Sequence, residues 1–304
     1  MKKYEITVFT PTYNRAYILR NVYESLLKQK FVYFEWLIVD DGSTDNTEEL
    51  VKSFLEDKAF FDIVYVKKEN GGQHTALNKA IELAQGEYLM IVDSDDYISE
   101  NALERVSYWI HSLETSNELF CGVSGLKAFS NGSIVGKIWN RKEKYIDINP
   151  FDREKYGLEG DKAEVFKIEV LKKFYPIPVF EDENDVEKGV LWNRVSNAGY
   201  KIRYFNEVIY FCEYLEDGMT KNIYKNWLKN FKGYTLWMKE LIHSNISEIQ
   251  QLKNTCMFVL LAQKKGMGIK EISNAINVNV FKVVLAIGIV TVYHKGIAQN
   301  KYAI

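Results

Sequence analysis

The sequence contains little cysteine, and neither sign of charge dominates it. Its three cysteines, Cys121, Cys212 and Cys256, are odd in number and far apart, which excludes a disulfide framework and a C-x-x-C zinc site. A reducing compartment such as the cytoplasm fits this usage. The 39 basic and 41 acidic residues give a net charge of −2 without a block of like charges. Nucleic-acid-binding surfaces need basic patches, so we expect no nucleic-acid partner.

Long hydrophobic runs are also missing. The longest apolar stretch, at 280–293, contains Lys282 and is shorter than the roughly 20 residues that a membrane-spanning helix needs. Polar side chains interrupt the first ten residues, so we expect no signal peptide. The apolar stretch fits either a core helix or a helix that contacts a membrane peripherally, at its inner face. In the second case one face would carry Val280, Val283, Val284, Ile287 and Val290.

The first hundred residues alternate short apolar runs with amphipathic stretches. The runs are 6–9, 36–39, 63–66 and 88–92, and the stretches are 18–27, 47–55, 76–84 and 102–113. Continuously apolar runs are typical of strands that are buried on both faces, and strand–helix–strand order predicts a parallel sheet. We therefore predict a doubly wound α/β unit.

After residue 120 the pattern changes. Apolar runs at 121–129 and 134–139 are separated by Asn131-Gly132, a dipeptide that predicts a tight hairpin turn and hence an antiparallel extension of the sheet. From Tyr224 onward apolar residues recur at helical spacing, and S-E-I-Q at 247–250 is a capping box that begins a further helix. We predict one domain over 1–220 and a helical region over 221–304 packed on it.

Four polar segments follow the four predicted strands. They are T-P-T-Y-N-R at 10–15, D-D-G-S at 40–43, N-G-G-Q-H at 70–74 and D-S-D-D at 93–96. Open α/β sheets bind ligands at these carboxyl ends. The sequence has no G-x-G-x-x-G after the first strand and no G-x-x-x-x-G-K-[ST], which argues against a dinucleotide site and a P-loop.

The D-D and D-S-D-D segments bring five carboxylates to two strand ends. These charges would repel one another unless a cation lies among them. Oxygen ligands favour Mg²⁺ or Mn²⁺, and Mg²⁺ is usually held by one or two carboxylates together with substrate phosphates. The sequence therefore predicts a divalent metal and a phosphate-bearing substrate. The alternative is that Asp41 and Asp96 cap the helices that follow them.

In this order the motifs resemble family 2 of the inverting glycosyltransferases, which have the GT-A fold. The resemblance covers roughly residues 4–215. The segment E-Y-L-E-D-G-M-T at 213–220 also resembles a segment of bacterial enzymes that build surface glycans. Its motifs are T-P-T-Y-N-R at 10–15, V-D-D-G-S-T-D at 39–45, N-G-G-Q-H-T-A-L-N at 70–78, G-E-Y-L-M-I-V-D-S-D-D at 86–96, G-D-K-A-E-V at 160–165 and E-Y-L-E-D-G-M-T at 213–220.

The resemblance implies an α/β, Rossmann-like mixed sheet flanked by helices, with a helical C-terminal region. It also implies metal-dependent transfer of a hexosyl or N-acetylhexosaminyl group from a nucleotide-diphosphate sugar. We expect a UDP-sugar as donor and a glycan or lipid-linked saccharide as acceptor. Two alternatives stay open: a nucleotidyltransferase, and a noncatalytic sugar-nucleotide-binding homologue. The sequence identifies neither the donor sugar nor the oligomeric state.

The resemblance also implies a role for residues that follow the first, second and fourth strands. Pro11 and Tyr13, in the same segment as Thr10, would contact the nucleobase, and Asp41 would accept one of its N–H groups. Asp93 would lie near the ribose. Asp95, with Asp96, would bind the metal.

Two further side chains are candidates for contact with the diphosphate. Arg15 would add positive charge, although it is equally consistent with a surface arginine at the start of a helix. His74 follows two glycines at the start of a predicted helix, where free N–H groups favour an anion; the alternative is a structural histidine. Gln73 stands where related sequences carry a basic residue.

The expected catalytic base is a carboxylate that deprotonates the acceptor hydroxyl. Related sequences carry it at the start of a helix, about six residues before the arginine of a Trp-Asn-Arg-like segment. Counting back from Arg194 reaches Lys188, which cannot accept a proton, so we expect the adjacent Glu187 to be the base. Asp185 and Glu183 are the alternatives.

Overall fold

The computed structural model describes residues 4–139, 143–212 and 223–300, with side chains as far as residue 292. The chain divides into two compact units. The first takes in the described residues of Met1–Ile177 and Ala198–Gly218, and the second those of Pro178–Asn197 and Met219–Ile304. The sequence assigned 178–197 to the first domain, whereas this segment lies in the same unit as the C-terminal helices.

The first unit contains one sheet of nine strands in the described part of the chain. The strands are β1 (Ile6–Thr12), β2 (Phe34–Asp40), β3 (Asp62–Lys67), β4 (Tyr88–Ile91), β5 (Tyr97–Ile98), β6 (Phe120–Phe129), β7 (Tyr145–Ile148), β8 (Lys162–Lys167) and β9 (Lys201–Cys212). The helices are α1 (Arg20–Leu27), α2 (Thr47–Glu56), α3 (Gln73–Leu83), α4 (Ala102–His111) and α5 (Ile168–Leu171), with a 3₁₀ helix at Pro150–Tyr156.

The sheet is parallel in its first half and mixed in its second. Strands β3, β2, β1 and β4 lie side by side and run parallel. Beyond β4, β8 is antiparallel to both β4 and β6, and β9 is parallel to β6. The predicted doubly wound parallel unit is confirmed. Its parallel strands bring four carboxyl ends to one edge of the sheet.

Burial explains why the first strands have continuously apolar sequences. Every residue of β1 and β2 is buried, because helices cover both faces of the parallel half. On one face, Tyr23 of α1 stacks on Phe54 of α2 with ring centroids 4.2 Å apart, and on Trp36 of β2 at 5.9 Å. These stacked rings join the two helices to the sheet.

The predicted hairpin after residue 120 forms only in part. Its turn is present, since Gly132 has a φ of +82° and its N–H donates to Phe129 O. The returning arm, however, pairs with β6 only at an isolated bridge between Ile134 and Ala128, made by bonds from Phe129 N to Ser133 O and from Val135 N to Lys127 O. Strand β8 pairs with β6 as far as Leu126, and β9 occupies the opposite edge. Only the last residues of β6 are therefore open to the returning arm.

The second unit is helical. Its helices are α6 (Gly189–Asn197), α7 (Ile223–Lys229), α8 (Phe231–Ile242), α9 (Glu248–Lys264), α10 (Ile269–Ile276) and α11 (Val280–Asn300). Their core includes Tyr234, Met238 and Phe258, all of which are fully buried. The capping box that begins α9 is confirmed: Ser247 Oγ accepts from Gln250 N, and Gln250 Oε1 accepts from Ser247 N.

Helix α11 exposes only part of the face that the sequence predicted, namely Val280 and Val284. Val283, on the predicted face, is fully buried because it packs into the helical core, and Ile287 is partly buried there. The exposed apolar side chains are Val280, Phe281, Val284, Leu285, Ile289 and Val292. In the described residues no single helix is long and apolar enough to cross a membrane; Ile269–Ile276 and Val280–Val292, bent by 114°, reach that length and composition only as a pair.

His74 is an interior residue of the first unit. It lies in the first turn of α3 and is fully buried. Its pKa is lowered from 6.5 to about 4, because the effect of burial, with a smaller one from the charge of Lys68, outweighs the raising effect of the Asp41 charge. His74 is therefore neutral at pH 7 and brings no positive charge to a phosphate, which favours the structural alternative.

The lowered pKa of His74 predicts a loss of stability in acid. As the pH falls from 7 to 5, the unfolded chain takes up a proton near pH 6.5, whereas the folded protein does so only near pH 4. We expect the free energy of unfolding to fall by about 2 kcal/mol more for the native protein than for His74→Gln. Urea denaturation at both pH values measures this difference. Equal losses in the two proteins would contradict the assignment.

Candidate functional site

The candidate ligand site of the first unit lies at the carboxyl ends of β1, β2, β3 and β4. Hydrogen bonding between neighbouring strands continues past these ends, from Asp41 N to Thr12 O (2.8 Å) and from Lys68 N to Asp40 O (2.9 Å). The loops that follow the strands are therefore held close together. These are the four polar segments that the sequence singled out.

The loop after β1 is bound to the loop after β2. Asn14, with a φ of +53°, accepts from Thr44 N on Oδ1 (2.8 Å) and donates its own N–H to Ser43 Oγ (2.9 Å). Asp45 Oδ2 accepts from Ala16 N (3.0 Å). The two loops are thus joined by hydrogen bonds beside the strand ends.

The four candidates at the end of β1 and in the loop after it differ in their exposure. Thr10 and Pro11 are buried, and Thr10 Oγ1 accepts from Trp36 Nε1 (3.0 Å), so this hydroxyl is part of the core. Tyr13 is 48% exposed. Arg15 Nη1 donates to Tyr17 Oη (2.7 Å). Because α1 begins at Arg20, Arg15 belongs to the loop and is not at a helix start.

The carboxylate of Asp41 holds the loop that follows β3. Its Oδ1 accepts from Gly71 N (3.0 Å) and from the Lys68 ammonium, and its Oδ2 accepts from Gly72 N (2.8 Å). It is 5% exposed. Sequence reasoning assigned Asp41 to the nucleobase alone and missed Lys68, whose only signal was a basic residue just after the third strand.

Glycine is required where this loop approaches β2. Gly42 has a φ of +85°, and a Cβ there would lie 2.9 Å from Asn70 N. Gly72 has a φ of +92° and donates its N–H to Asp41 Oδ2. These conformations strain residues that carry a Cβ, which explains the D-G and G-G pairs in the motifs.

The acidic loop after β4 leaves two carboxylates partly exposed and buries one. Asp93 and Asp95 are partly exposed, whereas Asp96 is buried and its Oδ2 accepts from Tyr210 Oη (2.6 Å). Gln73 Nε2 donates to Asp93 Oδ1 (3.1 Å). The sequence predicted that Asp96 binds the metal together with Asp95. In the structure Asp96 instead holds the loop from inside through its hydrogen bond with Tyr210.

The pKa of Asp96 reports how close these charges are. It is raised from 3.8 to about 7, mainly by burial and also by the charges of Asp93 and Asp95, against the lowering effects of the Tyr210 hydrogen bond and of Lys127. The three carboxylates are thus near enough to repel one another. Such a group is stabilised by a cation.

The donor set suits a divalent metal that is completed by its substrate. In the described residues no group of three or more histidine, cysteine, aspartate or glutamate side chains is placed to hold a metal ion. The loop instead offers the partly exposed carboxylates of Asp93 and Asp95. One or two carboxylates with substrate phosphate oxygens are the usual surroundings of Mg²⁺, so these residues fit Mg²⁺ or Mn²⁺.

In the second unit, Glu183 is a helix cap. Its Oε1 accepts from Lys232 N (2.7 Å) and its Oε2 from Gly233 N (2.8 Å), at the first turn of α8. Both oxygens are thereby bound to backbone N–H groups that the helix leaves unpaired. This arrangement accounts for Glu183 without a catalytic role.

Asp185 and Glu187 lie just before α6, each bound to a side chain of α7. Asp185 accepts from Asn226 Nδ2, and Glu187 accepts from Trp227 Nε1. Burial raises the pKa of both carboxyl groups, and the charge of Asp185 adds to the rise at Glu187. Both are partly exposed acceptors with increased basicity.

Arg194, from which the base was counted, has a structural partner. Its Nη2 donates to Glu240 Oε1 (2.7 Å) and its Nε to Oε2 (3.1 Å), which ties α6 to α8. The E-Y-L-E-D-G-M-T motif at 213–220, which the sequence likened to surface-glycan enzymes, lies outside the described residues.

The chain is similar to known glycosyltransferases in sequence. Residues 7–172 match the model of the family described as Glycosyl transferase family 2. An uncharacterized glycosyltransferase of Mycoplasma pneumoniae is 38% identical over 127 residues, 40% of this chain and 42% of that protein. The minor teichoic acid biosynthesis protein GgaB of Bacillus subtilis is 35% identical over 105 residues, 34% of this chain and 12% of its own. The match thus spans less than half of either relative.

Solved structures share the fold. S. aureus TarS in complex with UDP-GlcNAc superimposes with a TM-score of 0.61 at 21% identity, covering 86% of this chain and 73% of that chain. The mannosyltransferase PcManGT from Pyrobaculum calidifontis, in complex with GDP-Man and Mn²⁺, gives a TM-score of 0.56 at 17% identity, with 98% and 79% covered.

The family match covers more than half of the chain and includes all four strand ends of the candidate site. The mixed sheet flanked by helices is the GT-A architecture that the motifs implied. The chain therefore belongs to glycosyl transferase family 2 and has the GT-A fold.

Proposed function

We propose that this protein is an inverting, metal-dependent glycosyltransferase that moves a hexosyl or N-acetylhexosaminyl group from a UDP-sugar to a glycan or lipid-linked acceptor. The observation that carries the proposal is the acidic loop after β4, which leaves Asp93 and Asp95 partly exposed at the carboxyl edge of the sheet. The TarS complex with UDP-GlcNAc supports the donor class, and the name of GgaB supports a surface-glycan acceptor.

The nucleotide would bind across the loops after β1, β2 and β4. The exposed ring of Tyr13 is available to stack on the base, and Asp93 would lie toward the ribose. An ionised carboxylate has about four acceptor positions, and Asp41 uses three of them for the loop after β3. The fourth can accept a base N–H, so Asp41 would serve the loop and the base together.

The metal, Mn²⁺ or Mg²⁺, would be held by Asp95 with Asp93 beside it and Asp96 fixing the loop. When bound, it would neutralise negative charge that develops on the departing diphosphate. Arg15 would add a second positive charge from the loop after β1. His74, being buried and neutral, would stabilise the start of α3 and leave the anion to backbone N–H groups.

Loss of the metal site should abolish transfer. We expect EDTA to stop transfer by the native protein and Mn²⁺ to restore it, whereas Asp95→Asn should be inactive at any Mn²⁺ concentration. Asp152→Asn, which removes an exposed carboxylate paired with Lys155, is the control and should behave as the native protein. Transfer that continues unchanged in EDTA would contradict the metal assignment.

Inversion would proceed by a single displacement. The acceptor oxygen attacks the anomeric carbon while the bond from that carbon to the diphosphate oxygen breaks, and a carboxylate takes the hydroxyl proton. Burial raises the pKa of Glu187 and Asp185, which makes each a stronger base than an exposed carboxylate. Glu187 is our proposed base, and Asp185 would support it by raising its pKa.

Amide substitutions distinguish the two carboxylates. Glu187→Gln keeps the shape of the side chain but cannot take a proton, so transfer should fall by roughly 10²–10⁴-fold while the dissociation constant for UDP stays unchanged. Asp185→Asn should reduce transfer less. Steady-state kinetics with calorimetric UDP binding measure both effects. Near-normal transfer by Glu187→Gln, with loss in Asp185→Asn, would assign the base to Asp185.

Turnover also separates the enzyme from a noncatalytic sugar-nucleotide-binding homologue. If the protein were such a homologue, it would bind UDP but would neither release UDP from a UDP-sugar nor transfer the sugar. Family membership sets aside the nucleotidyltransferase.

We also propose that α11 makes peripheral contact with the inner membrane face. Phe281 is 88% exposed and shares its face with other apolar side chains, and the exposed Lys282 could meet anionic lipid. On sedimentation with phosphatidylglycerol vesicles, the native protein should pellet with the vesicles, whereas Phe281→Ser should stay in the supernatant. Ile249→Ser, which removes an aliphatic side chain that is 70% exposed on α9, is the control. A native protein that stays in the supernatant would contradict this contact.

A further inference from the structure

The side chain of Tyr210 joins the two ends of the acidic loop from inside the fold. Its hydroxyl oxygen accepts from Asp93 N (3.0 Å), and the hydroxyl donates to Asp96 Oδ2 (2.6 Å). Asp96 N also donates to Asp93 O (3.1 Å), which closes the loop on itself. Both ends of the loop are thereby tied to a single fully buried side chain of β9.

The bonds with Asp93 N and Asp96 Oδ2 fix the orientation of the Tyr210 hydroxyl. A tyrosine hydroxyl has one proton to donate, and the N–H of Asp93 occupies one side of its oxygen, so the proton is directed at Asp96. A loop held in this way presents Asp93 and Asp95 in a defined arrangement before any ligand arrives. Such preorganisation is what a metal–diphosphate site requires.

A lysine on the neighbouring strand lies against the same side chain. Lys127 of β6 is the register partner of Tyr210, and its Nζ is 4.2 Å from the centre of the ring. Burial lowers the pKa of Lys127, but Asp93, Asp96, Asp161 and Glu164 outweigh this effect and raise it. The ammonium therefore stays charged and balances the acidic loop from the protein side.

We propose that Tyr210 is a positioning residue of the donor site, whose hydroxyl sets the Asp93–Asp96 loop for the metal and the diphosphate, with Lys127 as the resident counter-charge. This inference rests on the proposed function, because it takes Asp95 and Asp93 as the metal-facing carboxylates. Removal of the hydroxyl leaves the Asp93 N–H and the buried Asp96 carboxylate each without this partner. The loop then loses its defined arrangement.

Tyr210→Phe tests the proposal with a control on the same strand. Tyr204 of β9 is also fully buried, and its hydroxyl has no hydrogen-bond partner among the described residues. We expect Tyr210→Phe to weaken Mn²⁺ binding in the presence of UDP by roughly 10–100-fold, the usual effect of a lost partner behind a metal ligand, and Tyr204→Phe to leave it unchanged. Electron paramagnetic resonance of free Mn²⁺ measures this binding without turnover.

Amide hydrogen exchange in the metal-free protein separates this inference from the proposed function. Tyr210→Phe should speed exchange at the Asp93 amide, whereas Lys127→Met, which keeps the hydroxyl, should not. Native-like Mn²⁺ binding by Tyr210→Phe, or equal weakening in Tyr204→Phe, would overturn the positioning role. Failure of the native protein to bind Mn²⁺ with UDP would instead overturn the metal site, and with it this role. If Tyr210→Phe does not fold, faster Asp93 exchange in Lys127→Met would also overturn the role.

Discussion

Repulsion between carboxylates at the carboxyl edge of the sheet is the constraint on which this site depends. The parallel order of β3, β2, β1 and β4 brings the acidic loops to one edge, where nearby protein lowers the effective dielectric constant. Each carboxylate must therefore find donors or a cation. The arrangement of the loops follows from how this need is met.

Most of the carboxylates are satisfied by the protein itself. Asp40 accepts from Ser43 N and Tyr65 Oη, Asp41 from the backbone of the loop after β3, and Asp96 from Tyr210. These bonds point inward and give the loops their shape. Asp93, whose Oδ1 accepts from Gln73 Nε2, and Asp95 are partly exposed at the same edge, so their charge is accessible to a donor and its metal.

The sequence predicted the architecture well because the relevant signal is local. Continuous apolar runs identified β1 to β4, and the polar segments after them located the site edge. The returning arm of the hairpin does not form a full strand, because β8 already pairs with the edge of β6 that this arm would need. That pairing joins residues 122–126 to 162–166, and no local sequence pattern encodes it. The exposed face of α11 was predicted only in part for the same reason, because packing against other helices buries Val283.

Side-chain direction within the site was the part that sequence could not supply. Asp95 and Asp96 are adjacent and chemically identical, yet one is partly exposed and the other is buried against Tyr210, more than a hundred residues away. Likewise, the sequence alone leaves Glu183 as a candidate catalytic carboxylate. In the structure it accepts a hydrogen bond from Lys232 N at the first turn of α8. Long-range partners decide which of several equivalent acidic residues faces a ligand.

The most direct test of this account is a manganese anomalous difference map from a crystal grown with Mn²⁺ and UDP. We expect one peak within coordination distance of the Asp95 carboxylate and of the diphosphate oxygens, with Asp96 still bound to Tyr210. A peak at Asp41 or Asp185, or UDP bound at the strand ends with no metal beside it, would contradict the central claim.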